Sequence, residues 1–195
     1  MKKTDEYKAI LWHKYLQSGN KEILQRYLHS VAVLNKTEEL IERFNLPVDR
    51  EKARLAAILH DFAKFENEER FIALAHKYDE SSAVIKLSPK TWHALLGPYV
   101  IMEDLGLKDK QILNAVRWHT TGNIDMDIMA EVIFLADFID ESRIEDYFDE
   151  AKTVAKTDFH KAISLKIKQK MEELNDYSQE LIDLYNKYAE VKWNF

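Results

Sequence analysis

Ala53-Arg54-Leu55-Ala56-Ala57-Ile58-Leu59-His60-Asp61 sets the pattern for the whole chain. Its small and aliphatic residues make an apolar helix face that runs straight into an imidazole and a carboxylate. Such a run drives its end into the protein interior, where an unpaired ionised carboxylate is strongly disfavoured. Neutral imidazole and carboxylate oxygen are both ligands for a divalent cation, and a bound cation removes that penalty. Val132-Ile133-Phe134-Leu135-Ala136-Asp137 repeats the arrangement, with Phe138 and Ile139 following. Standing alone, Asp137 reads first as a buried aspartate that caps a neighbouring helix or pairs with Arg143.

Helical periodicity extends outward on both sides. Asp49 is a suitable N-cap for the helix that carries the first segment, predicted over 50–64. Before it, helices are predicted over 6–17, broken by Ser18-Gly19-Asn20, and over 21–44, which stops before Leu46-Pro47. After it comes 68–78, then a helix opened by Ser88-Pro89 and running toward Asp104. Gly106 closes that helix and 109–119 follows. Thr120-Thr121-Gly122-Asn123 signals a loop, with Gly122 suited to a left-handed cap, and helix resumes over 125–141. From Asp158 onward, Ile163, Ile167, Met171, Leu174, Leu181, Leu184 and Tyr188 describe one long stripe at helical spacing. The run 132–136 has strand-like composition, but its flanks favour a buried helix. The fold class is therefore all-α.

The bulk composition agrees. A chain of 195 residues suits one domain, or one domain with an appended helical piece, and buries roughly two thirds of its unfolded surface without needing a metal to fold. Four glycines and three prolines favour helices joined by short connections over many strands and turns. With no cysteine, disulfides, thiolate ligands and cysteine nucleophiles are excluded, which leaves His, carboxylate and water for any metal. Met1-Lys2-Lys3-Thr4-Asp5-Glu6 is followed by no apolar run, so no signal peptide is expected. Nothing approaches the roughly 18 apolar residues of a membrane span, and a cytoplasmic location without membrane association is the expectation. A formal charge of −6 disfavours an extended nucleic-acid surface. A small phosphorylated substrate stays open, because a metal and two or three local cations suffice for it.

Of the seven histidines, His13, His76 and His160 sit in charged stretches and read as solvated. His29, His60, His93 and His119, with Asp61 and Asp137, form an ordered set, each on or ending a predicted helix. That order resembles the HD-domain superfamily of metal-dependent phosphohydrolases. An isolated His-Asp dipeptide arises often by chance, whereas the ordered set is specific. Four segments narrow the match: Arg26-Tyr27-Leu28-His29-Ser30-Val31, Ala57-Ile58-Leu59-His60-Asp61-Phe62-Ala63-Lys64, His119-Thr120-Thr121-Gly122, and Phe134-Leu135-Ala136-Asp137-Phe138-Ile139-Asp140-Glu141-Ser142-Arg143. They closely resemble the YqeK family over roughly residues 20–190. The chain departs from the family pattern at Trp92-His93-Ala94-Leu95-Leu96-Gly97-Pro98, where Gly-Pro is displaced from the histidine. It departs again at Asp140-Glu141-Ser142, where the family commonly has Glu-Pro.

The resemblance implies a single HD-domain helical bundle over 21–157, an N-terminal helix over 1–20 and C-terminal helices over 158–195 packed on the core. YqeK-like proteins are symmetrical diadenosine tetraphosphate hydrolases that release two ADP. The implied cofactor is a divalent metal, iron first, with manganese, zinc, cobalt and nickel compatible. His29, His60, Asp61 and Asp137 are the implied ligands. Asp61 would also orient or deprotonate the attacking water, or bridge to a second ion. His93 and His119 would contact phosphate in a one-ion site, the arrangement we favour, or ligate a second ion. Thr120 would meet a phosphate through its hydroxyl or amide. Arg26 and Lys64 share helix faces with His29 and His60, and with Arg143 they suit a polyphosphate clamp; a surface ion pair is the alternative for each. Tyr185 and Asn186 would approach the base. The expected partner is an ADP-containing small molecule, and a homodimer through aromatics of the C-terminal stripe is possible. Two other functions stay open: an HD phosphohydrolase for another nucleotide, and a non-catalytic nucleotide-binding regulatory module. The retention of every motif member weighs against the second of these.

Overall fold

A computed structural model describes residues 4–80 and 84–193. Among them are eleven α-helices, two short 3₁₀ turns and no strand. The helices are α1 (Thr4–Ser18), α2 (Ile23–Arg43), α3 (Arg50–Leu59), α4 (Glu68–Lys77), α5 (Trp92–Leu95), α6 (Gly97–Leu105), α7 (Lys110–Trp118), α8 (Ile128–Ile139), α9 (Asp149–Val154), α10 (Phe159–Leu174) and α11 (Gln179–Tyr188).

Side-chain caps fix where several of them start. Asp49, Asn67, Asp109, Asp127 and Asp158 each accept a hydrogen bond from a backbone N–H of the first turn they precede. Each such bond satisfies a donor that has no partner inside the helix. At the other ends, Gly106 and Asn175 take the left-handed conformation that stops a helix, with φ of 66° and 48°.

α8 is the centre of the molecule. Ten of its twelve residues are buried, and it packs against α2, α3, α7 and α10. A helix apolar on all sides is stable only when neighbours cover all sides, which is why Val132 to Ala136 form helix here and not strand. α2 and α3 pack together and α1 lies on both, while α11 packs on α10. No described helix is long and apolar enough to cross a membrane.

Two expected helices are shorter than their periodicity suggested. α3 ends at Leu59, and residues 60–65 form turns instead of continuing to Lys64. The helix expected from Ser88 toward Asp104 is broken into a 3₁₀ turn (Pro89–Thr91), α5 and α6. Pro98 lacks the N–H that would continue the ladder, so the chain restarts at Gly97 with proline in the first turn. The C-terminal stripe is two helices, because the αL residue Asn175 turns the chain between Leu174 and Gln179.

Candidate metal centre

The polar ends of these elements converge on one point. α2 delivers Arg26 and His29, and the end of α3 delivers His60 and Asp61. His93 comes from α5, His119 caps α7, and Asp137 projects from α8. His29, His60, Asp61, His93 and His119 are all buried. His29 Nε2 lies 3.2 Å from Asp137 Oδ1 and 3.3 Å from His60 Nε2, and His60 Nε2 lies 3.8 Å from Asp137 Oδ1. Asp61 Oδ1 lies 3.0 Å from His93 Nε2 and 3.5 Å from His119 Nε2, and its Oδ2 is 3.8 Å from His60 Nε2.

The hydrogen bonds on the far sides of the rings decide what these nitrogens present. His60 Nδ1 donates to Ala57 O and His119 Nδ1 to Val116 O, both at 2.7 Å. His29 Nδ1 faces Ser142 Oγ at 3.1 Å and Asp140 Oδ2 at 3.4 Å, and the Ser142 hydroxyl donates to Asp140 Oδ1. In each neutral ring the Nε2 atom is therefore left as a lone pair. Two lone pairs and a carboxylate oxygen within 4 Å of one another repel unless a cation or a proton lies between them. Asp61 Oδ1 is also buried without a hydrogen bond of acceptable geometry. Two overlapping ligand sets meet the spacing for a metal ion, His29–His60–Asp137 and His60–Asp61–His119, with His60 in common. The donor set of nitrogen and oxygen atoms fits a divalent transition ion.

Electrostatics prepare most of this set. Burial pushes His60 down to about 3, so its ring is neutral at physiological pH, and burial lowers His93 as well. Burial alone would raise the Asp61 carboxyl, but the Lys64 ammonium beside it leads the influences that hold it well below the usual carboxylate range. Asp137 is likewise low, as Lys166, His29 and Arg143 outweigh its burial. His29 differs: despite burial, hydrogen bonds to Asp137 and Asp140 lift it to about 9.

Cations surround the centre unevenly. Lys64 Nζ is 3.6 Å from Asp61 Oδ1 and 3.2 Å from His93 Nε2, and Arg26 reaches Asp61 Oδ2 at 3.7 Å. Lys64 makes these contacts from the turn after α3, so helical spacing from His60 does not account for its position. Arg26, Lys64 and His93 border a cavity of about 370 Å³, together with Lys90, Trp92 and the carboxylates of Glu66 and Glu68. Thr120 Oγ1 stands 3.5 Å from His93 Nε2. Arg143 instead turns onto the carboxylates, 3.0 Å from Asp137 Oδ1 and 3.4 Å from Asp140 Oδ2. Tyr185 and Asn186 are occupied elsewhere. The Asn186 amide donates to Trp193 O and its carbonyl accepts from Trp193 N, while Tyr185 meets the Trp193 ring edge-on. His13, His76 and His160 are exposed.

Sequence reasoning overlooked several members of this constellation. Asp140 is fully buried beside His29, and Tyr15 donates from α1 to Asp61 O at 2.9 Å. Lys166 and Lys170, on α10, reach back to Asp137 and to the His119–Thr121 backbone. One signal was available: Lys166 falls on the same helical stripe as Phe159, Ile163 and Ile167, where an ordinary surface lysine has no place.

A bundle whose helix ends gather imidazoles and carboxylates around one buried point is a helical metallohydrolase scaffold. The family model described as HD domain matches residues 26–142, and the chain belongs to the HD-domain family, in its YqeK-like branch. Membership carries dependence on a divalent metal. The chain is 37% identical over 146 residues to the symmetrical bis(5'-nucleosyl)-tetraphosphatase of Bacillus subtilis, covering 75% of this chain and 77% of that protein. A protein of the same name from Halalkalibacterium halodurans is 34% identical, over 71% of this chain and 73% of that one. Among solved structures, one from Clostridium acetobutylicum, called a predicted HD superfamily hydrolase involved in NAD metabolism, matches with a TM-score of 0.75. It is 26% identical, and the match covers 95% of this chain and 96% of that one.

Proposed function

We propose that this protein is a metal-dependent hydrolase of dinucleoside polyphosphates that cleaves diadenosine tetraphosphate symmetrically into two ADP. One observation carries the reading: the ligand atoms of His29, His60 and Asp137 converge near a cavity bordered by Arg26, Lys64 and Lys90 as well as by Glu66 and Glu68. That pairs a site for a divalent cation with a site for a polyanion. The names of the relatives support the same substrate class.

His29, His60, Asp61 and Asp137 would hold the ion, with iron first and manganese, zinc, cobalt or nickel compatible. A bound divalent ion neutralises phosphoryl charge and makes water acidic enough to ionise near neutral pH. Asp61 Oδ1, buried and without a good hydrogen bond of its own, accepts one from the attacking water and aims it. Arg26, Lys64 and the Thr120 hydroxyl bind phosphate oxygens at the cavity, where phosphoryl transfer depends on positioning and charge more than on covalent chemistry. His93, whose Nε2 faces Lys64 and Thr120, sits where it would contact the same phosphates. Arg143, already engaged by Asp137 and Asp140, serves the carboxylates before any substrate.

A second reading places two ions here, because His119 Nε2 is a lone pair within the His60–Asp61–His119 set. His119→Ala separates the readings. In the one-ion arrangement metal stoichiometry stays unchanged while turnover falls, whereas loss of one equivalent per chain establishes the two-ion site.

Product identification tests the function. Purified protein given diadenosine tetraphosphate is expected to release ADP as the sole nucleotide, and Asp61→Ala to release none while keeping its helical signal. Equal AMP and ATP would mean attack at an outer anhydride. No cleavage of any dinucleoside polyphosphate, with phosphate released from AMP or dAMP, would overturn the substrate assignment.

A further inference from the structure

We propose that Lys166 is a positioning residue for the metal centre, holding Asp137 in its ligating orientation against the competing pull of Arg143. It lies on α10, beyond residues 26–142 that match the HD domain. Its ammonium is buried and has three acceptors for its three donors: Phe134 O at 2.5 Å, His119 O at 3.0 Å and Asp137 Oδ2 at 3.3 Å. The Phe134 ring lies beneath it, 4.0 Å from nitrogen to centroid. A lysine so saturated is fixed in place, and it fixes what it touches.

Asp137 is pulled two ways. Its Oδ1 faces His29 and His60, but the same oxygen lies 3.0 Å from the Arg143 guanidinium. Arg143 Nε already donates to the backbone carbonyl of Asp137 at 3.0 Å, which anchors the guanidinium beside the carboxylate. Guanidinium and carboxylate favour a paired, two-bond geometry. With Oδ2 released from Lys166, the carboxylate is free to turn onto Arg143 and withdraw Oδ1 from the two imidazoles. Lys166 prevents that rotation, and its bond to His119 O ties the carboxylate to the loop beside the cavity. Lys170, one turn further along α10, donates only to Thr120 O (3.3 Å) and Thr121 O (2.8 Å) among the described residues. The buried Lys166 and the half-buried Lys170 therefore have separate tasks.

The sign of the effect separates positioning from plain charge. Deleting a cation 3.3 Å from a ligand carboxylate would, by Coulomb attraction alone, strengthen divalent-ion binding. Loss of orientation weakens it.

The inference rests on the metal-binding part of the proposed function and not on the substrate. Its test is Co(II) affinity, measured by competition with a chromophoric chelator on metal-free protein with intact helical signal. Lys166→Met is expected to weaken Co(II) binding by about 10–100-fold, the usual consequence of losing a partner that orients a ligand. Lys166→Gln keeps a donor for the two carbonyls, which supports the fold, and is expected to weaken binding in the same way. Adding Arg143→Ala to Lys166→Gln removes the competitor and is expected to restore most of the affinity. Lys170→Met is expected to bind Co(II) as the wild type does. Unchanged or tighter Co(II) binding in folded Lys166→Gln would overturn the proposal. Failure of the metal reading itself would look different, since the wild type would then bind no Co(II).

Discussion

In the metal-free protein His29 keeps a proton up to about pH 9, because hydrogen bonds to Asp137 and Asp140 outweigh the burial that disfavours imidazolium. A raised pKa stabilises the metal-free fold fully below the ordinary histidine range, and that contribution fades as pH climbs through 9. Metal binding runs the other way, since the ion needs the lone pair that the proton occupies. Apparent affinity is therefore expected to rise about tenfold per pH unit from near neutrality toward pH 8, where Lys166, lowered to about 8 by burial, begins to lose its own proton, with about one proton released per ion below that pH. Titration calorimetry in buffers of different ionisation enthalpy checks this; a flat profile would mean that His29 is neutral or does not ligate. His60, pushed down to about 3 by burial, adds no proton to the count. At this scale the sequence was informative where an apolar run ended in His60-Asp61 or Asp137. Lys166 was hidden because a helix lysine ordinarily lays its stem along apolar surface and keeps its charge in water. Asp140 was hidden because nothing local says that it backs a histidine 111 positions earlier.

Among the elements, the loop after α7 is a close joint. Gly122 has a φ of +70°, and a Cβ there would stand 2.8 Å from Leu184 on α11 and 3.3 Å from Phe134 on α8. Backbone strain of about 1–2 kcal/mol and overpacking of about 1–3 kcal/mol then act together. Gly122→Ala is expected to lose about 2–5 kcal/mol in denaturant unfolding. Adding Leu184→Ala should recover part of that, because the two sites share one contact. Equal midpoints for Gly122→Ala and wild type would refute the close approach. The expectation of a left-handed cap at Gly122 came from its place after a helix and a Thr-Thr pair, whereas the leucine that crowds an added Cβ is 62 positions away and could not be read locally. Helix ends behaved alike. Asp49 declared the start of α3, but its finish at Leu59 follows from the turn that puts His60 and Asp61 into the core, which periodicity does not encode.

For the molecule as a whole, the proposed centre draws ligands from α2, the end of α3 and α8, and two of them, His29 and Asp137, are 108 positions apart. An ion present at a thousand times its dissociation constant adds about 4 kcal/mol of stability. For a chain of this size that corresponds to a rise of roughly 8–16 °C in unfolding temperature, and chelation should reverse it without loss of helical signal. A core of this extent folds without the ion, so collapse on chelation would contradict the reading. The all-α class was legible throughout because periodicity is a local property. Which helix would be central was foreshadowed only by the unbroken apolar run in α8. The burial of α8 on every side has one further consequence, for the order in which the protein breathes. Its backbone amides should be among the slowest to exchange with deuterium whether or not metal is present, since solvent reaches them only through global opening. α2 leaves residues such as Leu24 and Leu28 in water and has room to fray alone. Loading the ion should therefore slow deuterium uptake chiefly in α2 around His29, the ligand whose helix also keeps leucines in water.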